Sequence, residues 1–571
     1  MQRSVLPFPA LLLALPLALG AGTAHAAGET PAMSALGAYL AGGDAARQSD
    51  YTAAADFLAQ ALKADPDNVE LLRNMIMVVI GQGKQEDAVT VAKRLAAADK
   101  QSPIANLVLA LSDVRGGKLG DADGILTALP RAGINNLLVP LARGWIAAGK
   151  KDAPAADEAL KPLGDIATFA SLYHLHRGLI ADFLGERDQA AEAFKAMLDV
   201  DSVPSWRTVS VIGGFDERQG DMAAAKALYD GFQERNPDSQ LLDQSYARLK
   251  AGQKAPPPVA NAAQGIGEAL FDIGSVIQRE RPGSELAMVY TRLAAWMRPD
   301  SAMIKMLLGD ILETENRLPE SIAVFKSVDP KSPFGWAARQ HVAIGKDAEG
   351  DTEGAIADLK AMAAEQTGRI ESLADLGDLL RNKQRFPEAV TAYDQAIARL
   401  PNPDKRHWAL FFDRGIAEDR SNQKDKAEAD LQKALELEPE QPYVLNYLGY
   451  SWVDEGKNLD RAKQMIARAV ALRPQDGEIV DSLGWANFRL GDYPEAVTHL
   501  ERAVELRPQD ATINDHLGDA YWQVGRKLEA QFQWRRALGL DTENELRDAI
   551  EKKLANGLPK PAEMPPTAAK P

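Results

Sequence analysis

Small residues recur along this chain at a spacing of 34, and that period constrains the fold more than any other feature. Gly518 in LGDAYWQVGR (Leu517 to Arg526) stands among the same kinds of neighbours as Gly484 in LGWANFRLGD (Leu483 to Asp492). Glycine inside a helix costs about 1 kcal/mol relative to alanine, so its scheduled return requires a compensating contact. The eighth position of successive units is Gly42, Ala110, Ala142, Gly178, Gly213, Ser275, Gly309, Ala343, Gly377, Gly415, Gly449, Gly484 and Gly518, with Ile76 the large exception. Twelve residues further on, a second small series includes Ala54, Ala88, Ala122, Ala190, Ala225, Ala389, Ala427, Ala496 and Ala530. Two helices crossing where their side chains are smallest account for both series, because close backbone approach recovers in packing what glycine loses in helix propensity. Larger apolar residues at helical spacing surround the crossing, such as Leu517 and Tyr521 in a first helix and Trp534 and Leu538 in a second. Gly491 and Gly525 read as the ends of first helices. Prolines such as Pro66, Pro237, Pro439, Pro474 and Pro508 stop second helices.

The pattern L-G-x-x-Y, then G, A, an aromatic or leucine, A and P over 34 residues resembles the tetratricopeptide repeat. The resemblance covers nearly all of the chain after its first segment. It implies an all-α, right-handed superhelical solenoid of about fourteen helical hairpins. Units start near Ala35, Val69, Pro103, Asn135, Ser171, Trp206, Glu268, Ala302, Trp336, Ile370, Trp408, Pro442, Gly477 and Ala511. Pro154 stands where the fourth unit should have its second small residue, so that hairpin is expected to be shifted or its second helix to start late. The unit from Pro442 has one extra residue, in EGKNLDRA, which moves the small residue to Ala462. Asn487 takes the expected aromatic position while Phe488 follows it, so the side chain's role is expected to rotate by one.

Composition divides the chain further. Residues 1–26 read as a signal peptide: Arg3 is the positive start, ALLLALPLALGA the apolar stretch and Ala24-His25-Ala26 the cleavage site. The apolar run from Ala10 to Ala21 is too short for the ~20 residues that span a bilayer, so no integral membrane span is expected. Residues 27–250 form an N-terminal array of six units and 265–556 a C-terminal array of eight. Between them AGQKAPPPVANAAQ (251–264) is a proline-rich linker, readable as a hinge or as a loop packed on the array. A last solvating helix is expected near Glu543 to Ala555, and 557–571 reads as a disordered tail. The chain has no cysteine, which excludes disulfides, thiolate metal sites, a cysteine nucleophile and a lipid-modified cysteine. The expected product is a periplasmic protein that is not a lipoprotein.

Lys and Arg total 65 against 81 Asp and Glu, a formal charge of -16 that would repel nucleic acid and anionic lipid. Neither is expected as a partner. The sequence holds no HExxH, GxSxG or phosphate-cradling glycine loop. Some envelope metalloproteases carry tetratricopeptide arrays, but none of the seven histidines here begins the HExxH they require. His174 and His176 are two apart on a helix and diverge. Asp515, His516 and Asp519 read as a solvated helix edge rather than a metal site. No catalysis, cofactor or metal is expected.

Binding remains. In tetratricopeptide proteins, first helices line a concave groove through positions two, five, nine, twelve and thirteen, and the resemblance carries these positions onto the C-terminal units. They are Glu371, Asp378, Arg381 and Asn382; Phe412, Ile416 and Arg420; Tyr443, Asn446 and Tyr450; Asp481, Trp485, Phe488 and Arg489; and Asp515, Asp519, Trp522 and Gln523. Tryptophan, tyrosine and arginine carry binding energy at interfaces more often than other residues. For Trp485 and Trp522, packing between repeats is the competing role. The Lys and Asn clamp that some family members use for a C-terminal carboxylate is absent. The repeats are similar to those of the envelope adaptors of Gram-negative bacteria, one of which delivers cell-wall hydrolases to a carboxyl-terminal processing protease. That similarity implies protein partners, with a periplasmic protease and its substrates as the first expectation. A scaffold for exopolysaccharide export or outer-membrane assembly is the alternative.

Overall fold

A left-handed residue turns the chain between the two helices of a hairpin. At Gly83, Gly117, Gly185, Gly220, Gly491 and Gly525 it is glycine, with φ between 76° and 90°. At Ser49, Lys151, Gln384 and Asn422 residues with side chains make a left-handed turn at φ of 59° to 62°. Glycine at the helix end is therefore one solution among several, and the backbone geometry is what repeats.

The computed structural model describes residues 33–541, 544 and 546–558. The expected signal peptide, and the expected tail from residue 559 on, lie outside the described residues. Among the described residues there are thirty α-helices, two short 3-10 helices and no strand, and no helix is long and apolar enough to cross a membrane. The chain divides into two compact units, 1–338 and 339–571.

The first unit opens with α1 (Ala35–Arg47) and α2 (Tyr51–Ala64), α3 (Val69–Gly81) and α4 (Gln85–Ala98), then α5 (Pro103–Arg115) and α6 (Leu119–Thr127). It continues with α7 (Asn135–Gly149) and α8 (Ala153–Gly164), α9 (Ala170–Leu184) and α10 (Arg187–Val200), then α11 (Trp206–Gln219) and α12 (Met222–Arg235). The single helix α13 (Asp243–Ala251) precedes α14 (Ala262–Glu280) and α15 (Glu285–Met297), then α16 (Ala302–Thr314) and α17 (Leu318–Lys326). The border between the units falls inside α18 (Gly335–Ala348), which is followed by α19 (Thr352–Glu365). The second unit holds α20 (Glu371–Asn382) and α21 (Phe386–Ala398), α22 (Trp408–Arg420) and α23 (Lys424–Leu437), and α24 (Pro442–Glu455) and α25 (Leu459–Leu472). It ends with α26 (Gly477–Arg489) and α27 (Tyr493–Leu506), α28 (Ala511–Gln523) and α29 (Lys527–Leu540), and the unpaired α30 (Arg547–Asn556). All helices but α13 and α30 come in consecutive pairs, as the fourteen hairpins require.

The compensating contact for the scheduled glycine is specific. A methyl group added at Gly213 would lie 2.3 Å from the Tyr229 ring, at Gly309 2.3 Å from Phe325, at Gly377 2.4 Å from Tyr393 and at Gly518 2.4 Å from Trp534. Each of these rings stands at position twenty-four, so the small residue meets the side chain one turn beyond the second small position. Ala225, Ala389 and Ala530, at position twenty itself, have no exposed surface. Where position twenty-four is aliphatic, the notch is equally tight: a methyl on Gly449 would be 2.7 Å from the Ile466 side chain and 3.0 Å from the Ala462 carbonyl oxygen.

The irregular units resolve in the same terms. Pro154 lies in the first turn of α8, where no backbone donor is needed; that helix starts late, as expected, at Ala153, two positions further into its unit than α2, α4 or α12 into theirs, and Ala156 takes the buried small position. The extra residue after α24 is absorbed by Asn458 at φ 46°, and Ala462 is fully buried as expected. Asn487 is buried and donates to the Leu483 carbonyl at 2.8 Å, while Phe488 takes up the core position.

In the first unit the chain leaves hairpin order once. The proline-rich stretch lies inside this unit, its non-helical part runs over 252–261, and it is packed. Ala255 and Val259 are buried, the Arg218 guanidinium donates to the Pro256 carbonyl at 3.1 Å, and Arg298 donates to that of Pro258 at 2.7 Å. The helix that follows begins at Ala262, six residues before the expected Glu268, and returns across earlier first helices: α14 packs on α7 and α5, and α15 on α3. Gly265 admits the Trp145 ring, which would lie 2.1 Å from an added methyl. Beside it Trp145 Nε1 donates to His176 Nδ1 at 2.9 Å, so the imidazole carries its proton on Nε2 and donates to Asp272 at 3.0 Å. Arg207 pairs with Asp272 and reaches Glu268 at 2.5 Å. Burial raises the Asp272 pKa, and Arg207 and His176 more than reverse that, leaving it below the ordinary carboxylate value.

Gly377→Ala is expected to destabilise the second unit by about 1 to 3 kcal/mol, because a methyl must enter the Tyr393 ring space. Gly124→Ala, on exposed α6 with nothing within 4 Å of the new methyl, is expected to stabilise by roughly 0.5 to 1 kcal/mol. Urea unfolding of both variants, with hydrogen exchange to locate the change, checks the pair. Equal effects of the two substitutions would remove the ring from the explanation.

Candidate functional site

Successive first helices pack side by side, α20 on α22, α24 on α26 and α26 on α28, and form a wall in the second unit. Their sequence gives this wall two kinds of side chain. Leu373, Leu376 and Leu380 of α20, or Val444, Leu448 and Trp452 of α24, face the hairpin interior and are buried. Residues on the remaining stripe carry rings, amides and guanidinium groups.

On α20, Arg381 lies 3.5 Å from Asp413 of α22 and within 3.4 Å of the Tyr393 hydroxyl, which donates to Asp378 at 2.7 Å. Asn382 beside it is exposed. Phe412 is half-buried, its ring 6.0 Å from that of Tyr447 in an edge arrangement. Arg420 lies over the Phe386 ring at 5.7 Å. On α24, Tyr443 is 37% exposed with the Arg473 guanidinium 5.2 Å from its ring centre. Tyr450, one face-turn further, is half-buried. Between them Asn446 is half-exposed, and its side-chain carbonyl oxygen is buried without a hydrogen bond. A buried amide oxygen left unpaired costs about 1 to 3 kcal/mol, so this is a place where an added donor would gain.

Towards the end of the chain the expected groove positions turn inward. Trp485 and Phe488 are 3% and 1% exposed, so they do not line a groove. Their rings stack at 4.8 Å, and Trp485 stacks on His516 of α28 at 4.1 Å, which makes them contacts between repeats. His516 Nδ1 lies 2.9 Å from Asp481. Arg489 is held 3.3 Å from Asp454 on the neighbouring first helix. Trp522 is half-buried, 5.3 Å from the Trp534 ring and capped by Gly557, where an added methyl would lie 2.2 Å away. Gln523 beside it is half-exposed.

The end of the stack, over Trp522 and α28, is closed by α30. Its Lys553 ammonium donates to Asp515 at 2.7 Å and to Asp519 at 2.8 Å, and Trp534 Nε1 donates to the other oxygen of Asp519 at 2.8 Å. Asp515, His516 and Asp519 are therefore buried under α30 with a cation already in place, and they are not the solvated edge expected from their spacing. Burial pushes Asp519 up to about 6 against the pull of Lys553. Burial alone would lower the Lys553 pKa, and the two carboxylates hold it above the ordinary lysine value.

In the first unit the corresponding wall is covered by the chain itself. Leu107, Leu111 and Val114 of α5 and Val139 and Ile146 of α7 are buried in one cluster with Ile266, Leu270 and Ile273 of α14. The signal for this was present in the sequence, since groove positions in these units are apolar where those of the second unit are polar or aromatic. Positions that carry leucine and valine on both faces of a helix need cover on both.

Models of the tetratricopeptide repeat match residues 45–132, 374–442 and 412–477, and a TPR repeat model matches 484–525. A TPR repeat-containing protein of Pseudomonas aeruginosa is 25% identical over 193 residues, 34% of this chain and 32% of the relative, so the match spans about a third of that protein's length. Among solved structures, yeast Tom70 aligns over 91% of this chain and 95% of its own at 14% identity and a TM-score of 0.34. YrrB, described as a TPR protein with an unusual peptide-binding site, aligns over 34% of this chain and 98% of its own at 19% identity and a TM-score of 0.28.

Lys553→Met is expected to destabilise the α28 to α30 region by about 3 to 5 kcal/mol at pH 8, because two buried carboxylates lose their cation. A carboxyl whose folded pKa is raised costs stability as pH rises from its unfolded value through its folded one, and removing the ammonium raises Asp519 further. The penalty should therefore shrink towards pH 5, where Asp519 takes up a proton. Urea unfolding of parent and variant at both pH values measures it, and a penalty independent of pH would assign the loss to packing alone.

Proposed function

We propose that this chain, which carries tetratricopeptide repeats in both of its compact units, is a non-enzymatic adaptor that binds a protein segment along the first helices α20, α22 and α24. One observation carries the reading: this stretch of wall leaves Asn382, Phe412, Arg420, Tyr443, Asn446 and Tyr450 at least partly accessible, while the matching wall of the first unit is covered by α14 and α15. A stripe of aromatic rings interrupted by amide and guanidinium groups suits an extended or helical peptide, with rings taking apolar side chains and Asn446 pairing with a backbone or side-chain donor. The groove assignment is narrowed accordingly, because Trp485, Phe488 and Trp522 serve the repeat stack.

The wider role follows from the leader-like residues 1–26 and the absence of cysteine. The adaptor is exported to the periplasm, where it holds a protein partner, and presentation of substrates to an envelope protease is the role that its resemblance to envelope adaptors favours. The second reading, a scaffold for exopolysaccharide export or outer-membrane assembly, uses the same wall with a different partner.

Tyr443→Ala combined with Asn446→Ala is expected to weaken partner binding by about a thousandfold, from roughly 2 kcal/mol at each position, with little change in helical signal or melting. The control pair Gln432→Ala and Lys433→Ala on α23 should bind as the parent does. A photo-crosslinking amino acid at position 443 identifies the partner, and one at 432 reports the background. Capture that is equal from both positions, or unchanged in the Tyr443 and Asn446 variant, would place the binding face elsewhere.

A further inference from the structure

A cleft of about 400 Å³ lies in the first unit between the α1–α2 hairpin, α3 and the segments that begin α15 and follow α16. Its walls are partly apolar, from Leu58, Met77, Val78 and the main chain of Gly42 and Gly43. The size falls within the range of small-molecule sites. Part of its polar lining has no partner among the described residues. Tyr51 is 4% exposed, yet its hydroxyl makes no hydrogen bond among the described residues. Its ring is fixed by the Arg317 guanidinium 4.7 Å from the centroid and by close packing on Gly81, where an added methyl would lie 2.7 Å from the ring. The hydroxyl is therefore held in the cleft wall without a partner. The amide of half-buried Asn74 and the carboxylate of exposed Glu285, also in the lining, have no hydrogen-bond partner among the described residues.

The charges around the cleft decide what it would accept. Glu315 in the lining has a side chain only 4% exposed and gives one oxygen to Arg317 at 3.1 Å. Arg317 and Arg292 also pair with Glu320, at 2.8 and 3.0 Å, and Arg47 at the rim pairs with Asp44 at 2.9 Å. Each guanidinium is thus matched by a carboxylate, and Glu285 is left over. Burial raises the Tyr51 pKa, and the nearby Glu315 and Glu285 carboxylates raise it further against the opposing pull of Arg317 and Arg292. The local field therefore favours a cation. A neutral ligand would leave Glu285 unneutralised, and an anion would meet it directly.

We infer that this cleft binds an alkylammonium group, its aliphatic stem against Leu58, Met77 and Val78 and its ammonium donating to Glu285, the Tyr51 hydroxyl and the Asn74 carbonyl. Three donors on a tetrahedral ammonium match three acceptors in the cleft lining. The same chemistry comes from two sources, the side chain of a lysine on a bound protein or a free aliphatic diamine. The cleft belongs to the first unit and the α20 to α24 wall to the second, so it adds a second recognition point to the chain.

Calorimetric titration of the full chain tests it with two probes, N-acetyl-lysine methylamide and 1,5-diaminopentane, and with N-acetyl-norleucine methylamide as the uncharged counterpart. At least one amine should bind, and the norleucine probe should bind at least tenfold more weakly. Binding of the lysine probe alone assigns the site to a protein side chain, and binding of the diamine alone assigns it to a free amine. Glu285→Gln and Tyr51→Phe should each weaken the amine by tenfold or more. The first removes a carboxylate with no partner among the described residues, and the second keeps the ring under Arg317, so both should melt as the parent does. No binding by either amine, equal binding of the norleucine probe, or amine binding untouched by both substitutions in folded protein would overturn the inference.

Discussion

The contact on which the rest depends is an aromatic or branched side chain of a second helix set into the notch left by a small residue in the first. Phe194, Tyr229, Phe325, Tyr393 and Trp534 each occupy such a notch, opposite Gly178, Gly213, Gly309, Gly377 and Gly518. A ring buried this way contributes more than the roughly 1 kcal/mol that glycine costs its helix. The notch also fixes how far the helices slide past each other. Once the hairpins share one geometry, their first helices align, and a wall exists for other groups to decorate.

The two units use that wall in opposite ways. In the first, apolar side chains such as Leu107, Leu111 and Val139 make it a second buried surface, and α14 covers it. The polar chain from Trp145 through His176, Asp272, Arg207 and Glu268 fixes the covering helix in one register, since each buried group there has a specific partner. In the second, the stripe bearing Arg381, Phe412, Tyr443 and Asn446 stays accessible until α30 closes the end of the stack through Lys553. The closing helix buries two carboxylates of α28 and itself supplies the ammonium that pairs with them.

The hairpins were legible in the sequence because their determinants are local: the period, the small residues and the helix ends fix each unit within its own 34 residues. Unit starts expected at Val69, Pro103, Asn135, Trp206, Ala302, Trp408, Pro442, Gly477 and Ala511 coincide with helix starts. The site was less legible, since groove positions carried over from a resemblance presume that nothing else occupies the groove. Trp485 and Phe488 failed that presumption through the neighbouring His516, and Trp522 through α30, whose Lys553 lies 38 positions from Asp515. The path of α14 was hidden for the same reason. Its partners on α5 and α7 are more than a hundred residues upstream, and periodicity reports nothing about such distances.

The return of α14 and α15 changes the order in which the first unit can assemble. An open stack gains stability one neighbour at a time, and its hairpins can form as soon as two are available. Here Trp296 bonds to Glu86 across 210 positions, and Gln85 bonds to the Arg292 carbonyl across 207. The loops those contacts close are long, which slows folding, and their reward arrives only when both ends are present. The early hairpins must therefore wait, with Leu107, Leu111 and Val139 uncovered, until α14 is present to cover them. The finished unit then loses its covering helix and its inner surface together, so it is expected to open as one cooperative block where an open stack would fray from its ends.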